Sequence, residues 1–240
     1  MTNFVRFLIF VSLFCAVAYA DIGVVIPGDR EEPDPSVLTL DEVHIHIKVD
    51  NQHARVRITQ IFGNHTSQIQ EGKYVFAIPG DAAISDFAVW DGVVRIPGVI
   101  LERKRASEIY ESLRIQRIDP GLLQQDEGEE GARMASAFSA RIVPIPAYGS
   151  KRLEIEYKQK INVQGTQSYF SLPLKPDLFR EQKAGLVSLD LEFLSAIPFA
   201  DFKFISTQYP IEMHPQGESK WQGSFEAPDI LLSEDFAFQY

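Results

Sequence analysis

The chain has 240 residues, 45% of them hydrophobic, which is enough apolar material for one large or two small globular domains. Its formal net charge is −10, from 23 basic and 33 acidic residues. This excess of acidic side chains argues against nucleic acid or an anionic membrane as the main partner.

The first twenty residues have the pattern of a secretory signal. Arg6 is the only charge there, Phe7–Ala16 is apolar, and Ala18-Tyr19-Ala20 is a small-x-small cleavage site. This run is too short to span a membrane, and no later run is long enough. We therefore expect cleavage after Ala20 and a secreted or periplasmic mature protein without a membrane span. The alternatives are a buried N-terminal helix and a lipid anchor at Cys15.

Cys15 is the single cysteine of the chain and lies inside the predicted signal. Cleavage therefore leaves a mature chain without cysteine, which has to be stabilised by core packing and not by disulfides. Loss of Arg6 leaves 22 basic residues against 33 acidic ones, a net charge of −11.

Residues 21–40 are rich in proline and acidic residues, a composition typical of mobile segments. We expect a flexible lead-in there. The alternative is that Val24-Val25-Ile26 pairs as an edge strand.

An antiparallel hairpin is predicted next from two alternating runs, Val43–Val49 and Ala54–Ile58, joined by a turn from Asp50 to His53. If Val49 lies opposite Ala54, all the apolar side chains fall on one face. Gln60 then points inward, where a buried amide needs hydrogen-bond partners. The basic side chains gather on the other face: His44, His46, Lys48, Arg55 and Arg57.

This basic face is the candidate binding site in the sequence. On a strongly acidic chain, such a cluster fits an acidic polymer or protein, held more tightly at low pH because histidine titrates at about pH 6.5. The alternative is a plain solvated face whose charges pair with nearby Asp and Glu. A transition metal could bind His44 and His46 together with His53, but the cations on the same face repel it. We therefore predict no metal and no cofactor.

Strands and turns continue through residues 56–101. Tyr74, Phe76 and Ile78 alternate, and a further strand follows at Phe87 and Val89. Asp91-Gly92 predicts a two-residue type I′ hairpin turn, in which both central residues have positive φ.

One amphipathic helix is predicted after these strands, where Ala106, Ile109, Tyr110 and Leu113 recur at helical spacing. The acidic stretch 126–131 indicates a solvated loop, because its carboxylates lack the alternation of a calcium-binding loop. From Phe138 to Tyr240 short alternating runs resume between prolines. The predicted fold is mostly β: an antiparallel β-sandwich with one amphipathic helix, extended by further C-terminal strands.

The order of motifs between Leu40 and Ile161 resembles the VIT domain, named for the vault protein and the inter-α-trypsin-inhibitor heavy chains. The matching features are Gln60-Ile61-Phe62-Gly63-Asn64, Glu71 before Tyr74-Val75-Phe76, Ile78-Pro79, Ala82-Ala83-Ile84-Ser85-Asp86-Phe87, Asp91-Gly92, Glu102, Lys104, Ala106, Ile109-Tyr110, Phe138, Ile142, Pro144 and Leu153-Glu154-Ile155-Glu156-Tyr157. The resemblance implies a VIT domain at 41–163 and a C-terminal β extension at 164–240 packed on it. Together with the signal peptide at 1–20 and the flexible lead-in at 21–40, these segments are the predicted organisation of the chain.

Family members of the heavy-chain type continue into a von Willebrand A domain, whose D-x-S-x-S motif holds a metal ion. Neither that motif nor the Asp-Pro-His tail used for esterification to glycosaminoglycan occurs here. The resemblance therefore does not imply metal-dependent adhesion or covalent matrix transfer. A free-standing module and the N-terminal part of a longer protein both fit.

Catalytic motifs such as G-x-S-x-G, H-E-x-x-H and glycine-rich phosphate loops do not occur. We expect an exported non-catalytic module for protein–protein or scaffold interactions, with a protein or an acidic polymer as its partner. The alternative is a secreted hydrolase that uses dispersed carboxylates on a β-sandwich. Asn64-His65-Thr66 is a glycosylation sequon if the host is eukaryotic.

Overall fold

The computed structural model describes residues 21–101, 122–126, 135–176, 182–197 and 201–240. Those residues are mostly β-strand and contain no helix. The predicted signal at 1–20, the predicted helix at 106–113 and most of the acidic loop at 126–131 lie outside the described residues. Within the described ranges, no helix has the length and apolar character needed to cross a membrane.

The described residues form seventeen strands. In chain order they are β1 (Asp21–Pro27), β2 (Leu38–Asp50), β3 (His53–Asn64), β4 (Gln70–Pro79), β5 (Ala82–Asp91), β6 (Val94–Pro97), β7 (Val99–Leu101), β8 (Leu122–Asp126), β9 (Ala135–Ile145), β10 (Ser150–Lys160), β11 (Asn162–Gln164), β12 (Gln167–Leu172), β13 (Lys183–Leu194), β14 (Lys203–Phe204), β15 (His214–Pro215), β16 (Lys220–Leu231) and β17 (Phe236–Gln239).

Three sheets are built from these strands. The large sheet has the order β15-β16-β13-β2-β3-β10-β5-β6, the five-stranded sheet β1-β4-β9-β8-β7, and the four-stranded sheet β11-β12-β17-β14. Both smaller sheets pack on the inner face of the large sheet. Phe62 of β3 meets Tyr74 of β4 with ring centroids 5.9 Å apart, and Phe193 of β13 meets Tyr240, just after β17, at 4.7 Å. The buried side chains join into one apolar core.

The first predicted hairpin is confirmed in its register. Val49 lies opposite Ala54, and Asp50 pairs with His53 across the turn. Because side chains alternate along a strand, this register buries the apolar side chains of both predicted runs, Val43–Val49 and Ala54–Ile58. Gln60 is buried as predicted, and its Oε1 accepts a hydrogen bond from the Tyr74 hydroxyl at 2.5 Å.

The flexible lead-in expected at 21–40 is wrong for its first part, and the edge strand is confirmed. β1 pairs antiparallel with β4 and buries its apolar side chains from Ile22 to Ile26. Gly23 has φ +110°, and a Cβ there would lie 2.3 Å from the Tyr74 hydroxyl oxygen. The Tyr74 hydroxyl oxygen also lies 3.3 Å from the carbonyl oxygen of Ile22. Burial of this apolar run outweighs the acidic, proline-rich composition, which is concentrated after Pro27.

The C-terminal strands enter the large sheet through a parallel pairing that the sequence did not predict. β13 runs parallel to β2 from Ala184 opposite Leu40 to Leu194 opposite Asp50. β7 and β8 are also parallel. The predicted purely antiparallel arrangement is therefore wrong at these two pairs. The sequence could not show this, because alternation along a strand carries no information about the direction of the neighbouring strand.

The turn between β5 and β6 lies one residue later than predicted. Asp91 pairs with Val94, so the central residues are Gly92 and Val93. Gly92 has φ +57°, and Val93 is not among the residues with positive φ. Glycine at the first central position is the pattern of a type II′ turn and not of the predicted type I′.

We expect Gly92→Ala to lower the free energy of unfolding by about 1–2 kcal/mol, because an L-residue is strained in the left-handed region. An added Cβ meets nothing within 4 Å, so the cost comes from the backbone alone. Urea unfolding measures it. Val93→Ala, at a side chain that is 90% exposed, is the matched control and should change the unfolding free energy by less than about 0.5 kcal/mol. Equal midpoints for Gly92→Ala and wild type would contradict the assignment.

Candidate functional site

The five side chains predicted to form a basic face lie together on the outer face of the large sheet. His46 on β2 sits opposite Arg57 on β3, and Lys48 sits opposite Arg55. All point away from the core, since the alternate residues of both strands are buried. The predicted juxtaposition is therefore present in the structure.

Each of these side chains faces a carboxylate. The pairs, with their N–O distances, are His44–Glu42 (2.8 Å), His46–Asp190 (3.3 Å), Lys48–Glu192 (2.8 Å), Arg55–Glu156 (3.4 Å) and Arg57–Glu156 (2.7 Å). The acidic partners come from β2 itself, from β13 and from β10. The structure therefore shows a face of paired charges, which is the arrangement that the alternative describes, and binding of an acidic partner there stays a prediction.

Two carboxylates hold this outer face together. Glu156 is buried, and burial by itself would raise its pKa. Hydrogen bonds from Arg57 and Ser85 and the charge of Arg55 outweigh that effect, so the pKa of Glu156 lies below its ordinary value. Hydrogen bonds from Lys220 at 2.6 Å and Lys48 at 2.8 Å lower the pKa of Glu192 to about 2.

A concave surface lies at one end of the molecule. We call it the terminal cleft and define it by the residues that line it. It has a volume of about 1180 Å³. Its walls are the turn Asp50–His53, the segment Ser195–Ile197 after β13, residues Val163 and Thr166–Ser168 around the β11–β12 turn, Asp201, Lys203, Gln239 and Tyr240. It therefore combines parts of the large sheet with parts of the four-stranded sheet.

Asn51 fixes the walls of the terminal cleft relative to each other. Its backbone N–H donates to the carbonyl oxygen of Leu194 at 2.9 Å, and its Oδ1 accepts from the backbone N–H of Ala196 at 2.9 Å. Its carbonyl oxygen accepts from the Tyr240 hydroxyl at 2.6 Å. Asn51 has φ +51°, a conformation that asparagine tolerates better than most residues. The cleft is thus a preformed surface.

Apolar side chains are left open to solvent at this cleft. Val163 is 47% exposed and Ile197 is 72% exposed. Their position beside a concave surface makes the cleft a candidate for a protein interface. Sequence reasoning missed these residues. Asn51 had a local signal, as a turn residue, but no pattern in the chain relates positions 51, 163, 197 and 240.

The sequon residue Asn64 is buried. Its Nδ2 lies within hydrogen-bond distance of the carbonyl oxygens of Gln68 (2.8 Å), Ile145 (3.2 Å) and Pro146 (2.9 Å), and its Oδ1 accepts from the backbone N–H of Thr66 at 2.9 Å. Asn64 therefore ties two loops together. A glycan on this nitrogen would displace these carbonyl contacts of the amide.

Residues 40–157 match the family model described as the vault protein inter-alpha-trypsin (VIT) domain. Protein mono-ADP-ribosyltransferase PARP4 from Homo sapiens is 23% identical over 154 residues, and PARP4 from Mus musculus is 23% identical over 159 residues. These alignments cover 64% and 66% of this chain. The chain spans only 8% of the length of either relative.

Among solved structures, a "putative nutrient binding protein" from Legionella pneumophila has a TM-score of 0.57 and 11% sequence identity. The superposition covers 92% of this chain and 71% of that chain. At this identity the likeness shows the fold alone. The superposition also includes strands that follow residues 40–157.

We expect Glu192→Gln to lower the free energy of unfolding by about 1 kcal/mol at pH 7, the scale of a partly exposed charge pair. Because the folded pKa lies below the ordinary 4.5, this contribution is present above about pH 4.5 and is lost as the pH falls toward 2. Urea unfolding at pH 7 and at pH 3 therefore should show a larger effect at pH 7.

The control for that measurement is Glu226→Gln, an exposed carboxylate opposite Ser188 at the edge of the same face. It should leave the unfolding free energy nearly unchanged at both pH values. If Glu192→Gln had the same effect at pH 3 as at pH 7, the ion pairs would not stabilise this face.

Proposed function

Residues 40–157 of this chain belong to the VIT family, and from this premise we propose that it is an exported, non-catalytic module that binds a partner protein at the terminal cleft. The family match supports the interaction role. The low-identity match to PARP4 is consistent with it, since the chain corresponds to a small part of that larger protein.

The observation that carries this proposal is the exposure of Val163 and Ile197 beside the terminal cleft. Burying both side chains under a partner gains hydrophobic free energy at about 25 cal/mol per Å² of apolar surface. Asn51 already holds the walls in place, so little conformational entropy remains to be lost on binding. A small apolar centre on a rigid surface fits a protein partner better than it fits a polyanion.

An acidic polymer is no longer part of the proposal. Its motive was a surplus of positive charge on the outer face, and each of those side chains has a carboxylate within 3.4 Å. Paired charges of this kind largely cancel beyond about 8 Å at physiological ionic strength.

The non-catalytic part of the proposal is supported by the state of the outer-face carboxylates. A hydrolase of the dispersed-carboxylate type needs acids that are free to exchange protons with a substrate. Glu156 is held by two arginines and Glu192 by two lysines. Their lowered pKa values keep them ionised and unsuited to act as general acids near neutral pH.

Export is supported by the pattern of the first twenty residues. Among the described residues, Asp21 of β1 pairs with Ala77 of β4. Cleavage after Ala20 would leave these described residues of β1 in the mature protein.

We expect protein recovered from the medium or the periplasm of an expressing cell to start at Asp21, as read by N-terminal sequencing. Its melting temperature should not change with EDTA or with a reductant, because we propose neither a metal nor a disulfide in the mature chain. A large drop in melting temperature with EDTA would overturn the metal-free fold, and retention of residues 1–20 in the exported protein would overturn the cleavage.

Photo-crosslinking in the native host tests the terminal cleft. With p-benzoyl-phenylalanine in place of Ile197, we expect a discrete crosslinked product that contains one other protein. The matched control carries the same photo-reactive residue in place of Val93, which is more exposed but lies in the β5–β6 turn.

The captured protein is then purified, and its affinity for the unmodified module is measured. Ile197→Asp should weaken binding by about tenfold or more, the scale of a central apolar contact, whereas Val93→Asp should not. Identical products from positions 197 and 93, or equal affinities for the two Asp variants, would remove the cleft as the interface.

A further inference from the structure

A second cavity lies at the opposite end of the β2–β13 pairing from the terminal cleft. We call it the joint cavity, and it is lined by β1, by the segment leading into β2 and by the start of β13. Its volume is about 350 Å³, within the range of sites for small molecules. Apolar walls come from Val24, Val25, Leu38 and Phe62.

Two carboxylates line this cavity, Asp41 and Asp229. Asp41 is the extra residue of a β-bulge between Leu40 and Glu42 in the pairing of β2 with β3. Its Oδ1 accepts a hydrogen bond from the Thr39 hydroxyl at 2.5 Å. Among the described residues, no Lys or Arg forms an ion pair with Asp41. Lys183, which also lines the cavity, is paired with Asp229 at 3.0 Å.

The position of Asp41 depends on two glycines from different strands. A Cβ at Gly63 of β3 would lie 2.3 Å from Asp41 Oδ2, and one at Gly185 of β13 would lie 2.6 Å from the Asp41 carbonyl oxygen. Neither glycine has a positive φ, so close approach is their common role here. Close contacts with the VIT segment (residues 40–157) and with the C-terminal strands therefore fix the position of Asp41.

His65 completes the polar side of the cavity through Thr39. Its Nε2 lies 2.7 Å from the Thr39 hydroxyl oxygen. Since the single hydroxyl proton of Thr39 is donated to Asp41, His65 has to donate its Nε2–H to Thr39. In the chain of hydrogen bonds from His65 to Thr39 to Asp41, the Nε2–H of His65 and the hydroxyl of Thr39 both donate. The Asp41 carboxylate can still accept further hydrogen bonds.

Gln182 supplies an unused acceptor as well. Its Nε2 donates to the carbonyl oxygen of Gly23 at 3.2 Å, which orients the amide. The Oε1 is buried and has no hydrogen-bond partner. A buried acceptor without a donor is costly, so a ligand N–H placed there recovers free energy.

We propose that the joint cavity binds a small organic cation, namely a primary ammonium group carried on a compact apolar body. Asp41 and the Gln182 Oε1 accept hydrogen bonds from the ammonium, and the apolar walls enclose the body. An anion is repelled by the unpaired carboxylate. A divalent metal ion is not a match, because no group of three His, Cys, Asp or Glu within the described ranges is arranged to hold one.

Calorimetric titration of the mature protein with benzylamine tests this proposal, with benzyl alcohol and benzoate as neutral and anionic probes of similar shape. We expect saturable binding of benzylamine at neutral pH and none of benzoate. Benzyl alcohol should bind at least about tenfold more weakly, because it lacks the charge that pairs with Asp41. Equal binding of benzylamine and benzyl alcohol would show an apolar hole without cation recognition and would overturn the proposal.

Variants locate the site. Asp41→Asn keeps the size and the acceptor for Thr39, and it should weaken benzylamine at least about tenfold. Asp190→Asn removes an outer-face carboxylate that is paired with His46 and should bind benzylamine like wild type. Gln182→Met removes the unused acceptor and tests the site independently if Asp41→Asn does not fold. Wild-type affinity in both Asp41→Asn and Gln182→Met would place any bound amine elsewhere and overturn the proposal.

Discussion

The parallel pairing of β13 with β2 is the contact on which the rest of the molecule depends. This pairing joins β13 to the strands of the VIT segment in one large sheet. β16 pairs with the other edge of β13. The inner face of β13 is buried from Val187 to Phe193, so apolar burial stabilises the seam. On its outer face Asp190 and Glu192 pair with β2. The two cavities lie at the two ends of the β2–β13 pairing. The terminal cleft lies beyond Leu194, and the joint cavity lies near Ala184.

Electrostatic pairing across the sheet changes the functional meaning of the outer face. Several cations on neighbouring strands would repel each other if they stood alone. β13 and β10 insert carboxylates on either side of β2 and β3, and Glu156 and Glu192 each serve two cations. The outcome is a face of mixed charge. Apolar exposure at Val163 and Ile197 is then the stronger signal for a partner, because binding there does not have to compete with existing ion pairs.

The boundary of the family match does not coincide with a boundary in the structure. Residues 40–157 supply Asn51, but Val163, Ile197 and Tyr240 come from the segment that follows. The joint cavity likewise combines Asp41 with Gln182. Both candidate sites therefore belong to the combined structure of the VIT segment and the C-terminal strands. A segment cut at residue 157 would retain only one wall of each.

Alternation in the sequence by itself determined the strands of the first hairpin, their register and the inward position of Gln60, because the two-residue period of a strand records which face is buried. The same period says nothing about which strand lies alongside or in which direction. Only the tertiary structure decided that β13 runs parallel to β2 and that Glu156, Asp190 and Glu192 lie beside the basic residues. It also decided that β1 is buried, since Tyr74 packs against Gly23 from a distant part of the chain. Functional sites assembled from positions as far apart as 51 and 240 depend on these long-range contacts, and no local pattern encodes them.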